Sequence, residues 1–107
     1  MRRRYFVYVI ELDPSVRALA RFRTANPGMR ATGEAFYVGS SVKSPDERFD
    51  QHKQGYKDNS YVRRFGLRLR PDLYEAYNPI PSRADAVELE VYLADRLRRA
   101  GHGVWQG

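Results

Sequence analysis

Residues 37–55 read YVGSSVKSPDERFDQHKQG, and this stretch decides the fold. With Ala35 and Phe36 ahead of it, its first three residues complete a short apolar strand, AFYVG, over 35–39. Ser44-Pro45-Asp46-Glu47 is then a capping box with proline at the first helical position. The spacing predicts a helix from there to Gln54, stopped by Gly55. Arg48 and His52 stand four apart and so share one face of that helix. Phe49, its only large apolar residue, projects near them. That face must therefore turn toward the sheet and carry Arg48 and His52 inward. Two readings of His52 stay open at this point: a surface imidazole beside a hydrophobic contact, or a group with chemistry to perform. No second histidine or cysteine stands at metal-ligand spacing, which argues against zinc.

Tyr5 to Leu12 (YFVYVIEL) is rich in aromatic and β-branched residues and reads as another strand. Asp13-Pro14 opens a basic helix over about 14–26, with Val16, Leu19 and Ala20 as its apolar stripe and Asn26-Pro27-Gly28 as its stop. Residues 29–34 read as loop. Tyr61 to Phe65 is expected as a short helix ended by Gly66, and Leu73 to Tyr77 (LYEAY) as the third strand. Ser82 with Asp85 caps the longest helix, which runs to about Ala100 before Gly101. The 107 residues fit a single domain. The order of elements points to an α+β fold, a small mostly antiparallel sheet covered by helices.

On the last helix Ala86, Leu89, Leu93, Leu97 and Ala100 form an apolar stripe, widened by Val87, Val91 and Ala94. Glu90 projects about 40° from Ala86, inside that arc, whereas Glu88 and Asp95 point to solvent. An ionised carboxylate on a packed face needs compensation. A structural ion pair with an arginine and a metal ligand are both open readings. Tyr8 sits in the middle of the first strand and Tyr37 near the end of the second. Buried tyrosines are commonly core residues with one hydrogen bond. Gly39 leaves room for a close approach.

Formal net charge is +6, with sixteen Arg and three Lys. From Arg48 to Arg70 seven basic residues (Arg48, Lys53, Lys57, Arg63, Arg64, Arg68, Arg70) face only Asp50 and Asp58. Tyr56 and Tyr61 are interleaved with them. A charge run can be a plain solvated face, but this pattern favours nucleic acid. Cysteine is absent, which excludes disulfides and thiolate sites and suits the cytoplasm. No apolar run is long enough to span a membrane, and Glu11 and Asp13 interrupt the stretch after Arg4 too early for a signal peptide.

In order along the chain stand Phe6-Val7-Tyr8, Tyr37-Val38-Gly39, Arg48-Phe49-Asp50-Gln51-His52, and Glu90 four residues after Ala86. This series resembles the GIY-YIG nuclease family over roughly 4–12 and 36–100. The resemblance implies a three-stranded antiparallel sheet flanked by helices. It implies a metal-dependent endonuclease that hydrolyses phosphodiester bonds in DNA. Tyr8 and Tyr37 fill the tyrosines of the two motifs. Arg48 would bind the scissile phosphate, His52 would stand near the tyrosines and the nucleophilic water, and Glu90 would be the one direct protein ligand of Mg²⁺ or Mn²⁺. Which tyrosine is the base stays open, with Tyr8 favoured and Tyr37 as its hydrogen-bonding partner. Lys43, Lys53, Lys57, Arg63 and Arg64 are the expected nucleic-acid contacts.

Three departures stand out. Twenty-eight residues separate Tyr8 from Tyr37 where the family commonly has a short connection, so the basic helix at 14–26 reads as an insertion. Ser40-Ser41 intervene before Lys43, where the family often has a lysine close behind its second motif. An asparagine often found near the active site has only Gln106, at a different spacing, to replace it. No second DNA-binding domain is expected in so short a chain. The competing readings are a non-catalytic nucleic-acid-binding module that keeps the fold, and an adaptor whose basic face meets an acidic protein.

Overall fold

Strand β1 spans Phe6–Leu12, and its β-branched residues pack from both sides, leaving Val7, Val9 and Ile10 fully buried. A computed structural model describes residues 3–55 and 60–107. Tyr56, Lys57 and Asp58 of the basic segment lie outside the described residues. Strand β2 (Ala35–Ser41) pairs antiparallel with β1, placing Tyr8 opposite Gly39 and Ile10 opposite Tyr37. Strand β3 (Gly66–Leu69) pairs antiparallel with the other edge of β1, and β4 (Gly103–Gln106) runs parallel to β2. The sheet is therefore four-stranded and mixed, in the order β3-β1-β2-β4, rather than three-stranded and antiparallel.

Two expectations about strands are corrected. Leu73 to Tyr77 is no strand: Pro71–Leu73 and Glu75–Tyr77 form two 3-10 turns. The chain there wraps the edge of β1 and caps it instead. Asn78 offers both halves of its side-chain amide to Val7, accepting from its N–H at 2.9 Å and donating to its C=O at 2.8 Å. Tyr5 and Ile80 then exchange backbone hydrogen bonds. A side chain thus occupies the place a strand would take. The true third strand is GLRL, held by Arg68 and Arg70, which both pair with Glu11 of β1.

The helix expected over 14–26 is two pieces, a 3-10 turn at Pro14–Ala18 and helix α1 at Ala20–Ala25, parted by extended backbone at Leu19. Val16 and Phe22 are both fully buried. Six residues apart, they would point about 120° away from each other on one continuous helix. The break brings both into the core. Buried Asn26 then ties this segment to β4, accepting from Val104 N–H at 2.8 Å and from Arg98 Nε at 3.1 Å.

The capping signals hold. Helix α2 spans Pro45–Gln54, with the Ser44 hydroxyl accepting from Glu47 N–H and Gly55 left-handed at its end. Helix α3 spans Ser60–Phe65. Helix α4 spans Arg83–Arg99, capped by Ser82 through Asp85 N–H and followed by left-handed Gly101. Helix α4 covers one face of the sheet with Ala86, Glu90, Leu93, Ala94 and Leu97. Val87 and Val91 lie outside that stripe, exposed. Helices α1, α2 and α3 cover the opposite face.

The turn from α3 directly into β3 depends on Gly66, where a Cβ would lie 2.5 Å from the carbonyl oxygen of Val62. Backbone cannot yield as a side chain can. Gly66→Ala should cost about 1–3 kcal/mol in urea unfolding. Gly28→Ala, with nothing within 4 Å of the new methyl group, should be near neutral. Equal midpoints for the two variants would refute this account of the junction.

Candidate active site

Alternation along the strands decides which side chains can meet. Tyr8, Ile10, Tyr37, Gly39 and Trp105 share the face under α1, α2 and α3. Val7, Val38, Ser40 and Gln106 share the face under α4. On the first face Tyr8 is 1% exposed and its hydroxyl lies 3.1 Å from Nε2 of His52, itself fully enclosed. The rings of Tyr8, Tyr37 and His52 form a cluster, with centroids 6.2 Å apart for the two tyrosines and 5.5 Å for Tyr37 and His52. Gly39 makes this possible, since a Cβ there would lie 2.6 Å from the Tyr8 hydroxyl. Phe49 is half-buried against the core, as its helical position requires, and Arg48 is half-buried beside it. The Arg48 guanidinium donates to Gln51 Oε1 at 3.3 Å.

On the second face Glu90 is 6% exposed. Ser40 Oγ donates to one of its carboxylate oxygens and Gln106 Nε2 to the other, each at 2.9 Å. Among the described residues Glu90 forms no ion pair, so both its partners are neutral. It lines a groove of about 470 Å³ with Arg3 and Arg83 at the sides and Ser41 and Gly107 beside them. No cluster of three or more His, Cys, Asp or Glu suited to a metal ion occurs among the described residues. The donor set still fits a hard divalent ion that keeps most of its water. Each Glu90 oxygen accepts one hydrogen bond and retains a second lone pair for an ion.

The two faces are electrically joined at the end of β2. Burial is the largest cause raising the Tyr8 phenol, followed by the charge of Tyr37, with Arg48 opposing and Glu90 adding a little. Tyr37 is raised by burial first and by Glu90 next, and Arg48 again opposes. The fields of Arg48 and Glu90 therefore both reach the tyrosine pair. Tyr37 stands nearer the opening, since a Cβ on exposed Gly107 would overlap its hydroxyl.

A family model described as the GIY-YIG catalytic domain matches residues 4–102. The chain belongs to the GIY-YIG nuclease family. No curated protein and no solved structure gives a significant match. Within this GIY-YIG domain the match ends before β4, the strand that makes the sheet four-stranded and supplies Gln106. No helix among the described residues is long and apolar enough to cross a membrane.

The expected nucleic-acid contacts of the GIY-YIG domain differ in their surroundings. Lys43, Arg63 and Arg64 are exposed, and the Arg64 guanidinium lies over the Phe65 ring at 4.9 Å. Lys53 donates to the carbonyl oxygens of Arg63 at 3.3 Å and Gly66 at 3.0 Å, so its ammonium caps the end of α3. Lys57 lies outside the described residues. Two groups at the site escaped the sequence reading. Ser40 was legible through period-2 alternation, which sets it opposite Tyr37 and under α4. Arg3 and Arg83 carry no local signal, because only the fold brings residues eighty positions apart to one groove.

The raised phenol has a consequence for stability. An unfolded tyrosine ionises near pH 10, and native Tyr8 only above that. Its contribution to stability is therefore full below about pH 10 and is lost as pH rises toward the native value. Above about pH 10 the urea midpoint of the parent protein should fall more steeply than that of Tyr8→Phe. Parallel declines would show that the Tyr8 hydroxyl is not held neutral by the fold.

Proposed function

We propose that this domain is an endonuclease that hydrolyses phosphodiester bonds in DNA with the help of Mg²⁺ or Mn²⁺. The observation that carries the reading is Glu90: a buried carboxylate with two neutral donors, no cationic partner among the described residues, and a groove flanked by arginines. A charge left in that state is costly unless a cation joins it. When bound there, the ion supplies positive charge to the phosphoryl oxygens. Arg48 contributes a guanidinium to the same phosphate, suited to its non-bridging oxygens.

Proton transfer belongs to the other face. Burial raises both phenols, so neither tyrosine offers much phenolate at neutral pH. Imidazole is the side chain that accepts protons in that range. Tyr37, nearer the opening, takes a proton from the attacking water as its own hydroxyl proton passes to the Tyr8 oxygen. Tyr8 in turn gives its proton to His52 Nε2 across the 3.1 Å contact. The water oxygen bonds to phosphorus, the opposite P–O bond breaks with its electron pair going to the leaving oxygen, which takes a proton from solvent, and His52 ends as imidazolium until it returns its proton to solvent. Support for Tyr37 in the outer position, rather than Tyr8, comes from its place beside exposed Gly107 and its stronger coupling to Glu90.

Supercoiled, linear, branched and single-stranded DNA, each incubated with and without Mg²⁺, test the reading. Glu90→Gln keeps size and shape but removes the charge that holds the ion. Its cleavage rate should drop by roughly a hundredfold or more, while Glu88→Gln, on the exposed side of α4, cuts like the parent. DNA affinity should change little in both and should weaken steeply with added salt. Parent-rate cleavage by Glu90→Gln would refute the metal assignment. Salt-sensitive binding without cleavage by the parent would leave a binding module in place of a nuclease.

A further inference from the structure

A second pocket lies on the tyrosine face, built by three elements distant in sequence. Leu19, Ala20 and Arg21 form one side, Ser60, Tyr61 and Arg64 of α3 another, and Trp105 of β4 completes it, around about 480 Å³. The Tyr61 and Trp105 rings meet edge to face, with centroids 4.7 Å apart. Tyr61 is further set by Phe22 at 6.0 Å and Phe65 at 6.5 Å. Trp105 is the direct β-partner of Tyr37, so the pocket adjoins the proposed reaction centre. Its contents are two half-buried aromatic rings with an exposed guanidinium on either side. Aromatic faces suit a nucleobase, and flanking arginines suit the phosphates on each side of it. A paired base, stacked inside a duplex, cannot enter. An acidic peptide would use the arginines but leave the rings without a matching surface.

We infer that this pocket is a stacking subsite for an unpaired DNA base, and that the substrate class is duplex DNA bearing a single-stranded arm. The inference rests on the nuclease reading for its biological sense, but the binding it describes is separately measurable. Trp105 is the chain's one tryptophan, so its emission reports directly on the pocket.

The experiment titrates the protein, in chelator to prevent cleavage, with a short strand of deoxythymidines, a blunt duplex, and a duplex with a single-stranded arm. Emission from Trp105 should be quenched saturably by the single strand and by the armed duplex, and little by the blunt duplex at concentrations that saturate its binding. Tyr61→Leu and exposed Arg21→Ser should each weaken the armed duplex by roughly fivefold or more relative to the blunt one. Arg21→Ser keeps the test valid if loss of the Tyr61 ring unfolds the protein. Equal weakening for both DNAs, or emission indifferent to single strands, overturns the subsite. Mg²⁺-dependent cutting of blunt duplex with that indifference would leave the nuclease reading standing and this one refuted. Quenching without cutting of any substrate would do the reverse.

Discussion

The Glu90 carboxylate, held inside the packed face of α4, is the constraint to which the rest of the site answers. Removing a carboxylate from water costs several kcal/mol, and hydrogen bonds from two neutral donors offset only part of that. Ala86, Leu93, Ala94 and Leu97 supply the apolar contact that keeps α4 on the sheet in spite of it. The charge has a second effect across β2. It raises the phenols of Tyr37 and, more weakly, Tyr8, while Arg48 lowers both. One buried charge therefore adds to the burial that is the main cause holding both phenols neutral. The group in contact with the Tyr8 hydroxyl is His52, at 3.1 Å.

The sheet acts as a partition with polar groups of the candidate site on both sides. A flat wall of side chains would separate Glu90 from the tyrosines. Here the wall is thin where it matters. Gly39 carries no side chain, and Tyr8 folds over it. Ser40, the next residue, points the other way and holds Glu90. Period-2 alternation over two adjacent residues thus sets the tyrosine–histidine cluster on one face and the Glu90 carboxylate on the other. It also explains how Gln106 reaches Glu90 from so far along the chain. It arrives on a parallel fourth strand, whose register with β2 sets it beside Val38 on the α4 face.

The parts legible in the sequence were those with local causes. Ser44 with Pro45, Ser82 with Asp85, and the glycines at 55 and 101 marked helix ends because capping is satisfied within four residues. The place of Glu90 in the apolar arc followed from helical geometry, and the inward turn of Arg48 and His52 followed from Phe49. What failed depended on distant partners. GLRL looks like a weak strand until Glu11 meets its Arg68 and the following Arg70, and LYEAY looks like a good one until Asn78 takes the backbone groups it would have paired. β-propensity describes a fit to neighbours, and those neighbours lay more than fifty residues away. The same reason hid β4 and the groove arginines.

The long connection between β1 and β2 shows why an apparent insertion need not be an accessory. Val16 and Phe22 within it are fully buried, and its Asp13 N–H donates to the Phe65 carbonyl at 2.7 Å. Phe22 packs where a side chain at Gly103 would otherwise stand, its ring 2.5 Å from the place a Cβ there would take. A fourth strand parallel to β2 exposes a new strip of sheet on the tyrosine face, and α1 is what covers it. Asn26 then bonds Val104 directly, so strand and connection hold each other in place. A three-stranded sheet has no such strip to cover and no need of this segment. The long connection and the fourth strand therefore depend on each other, and the aromatic pocket beside Tyr37 is formed where the two meet.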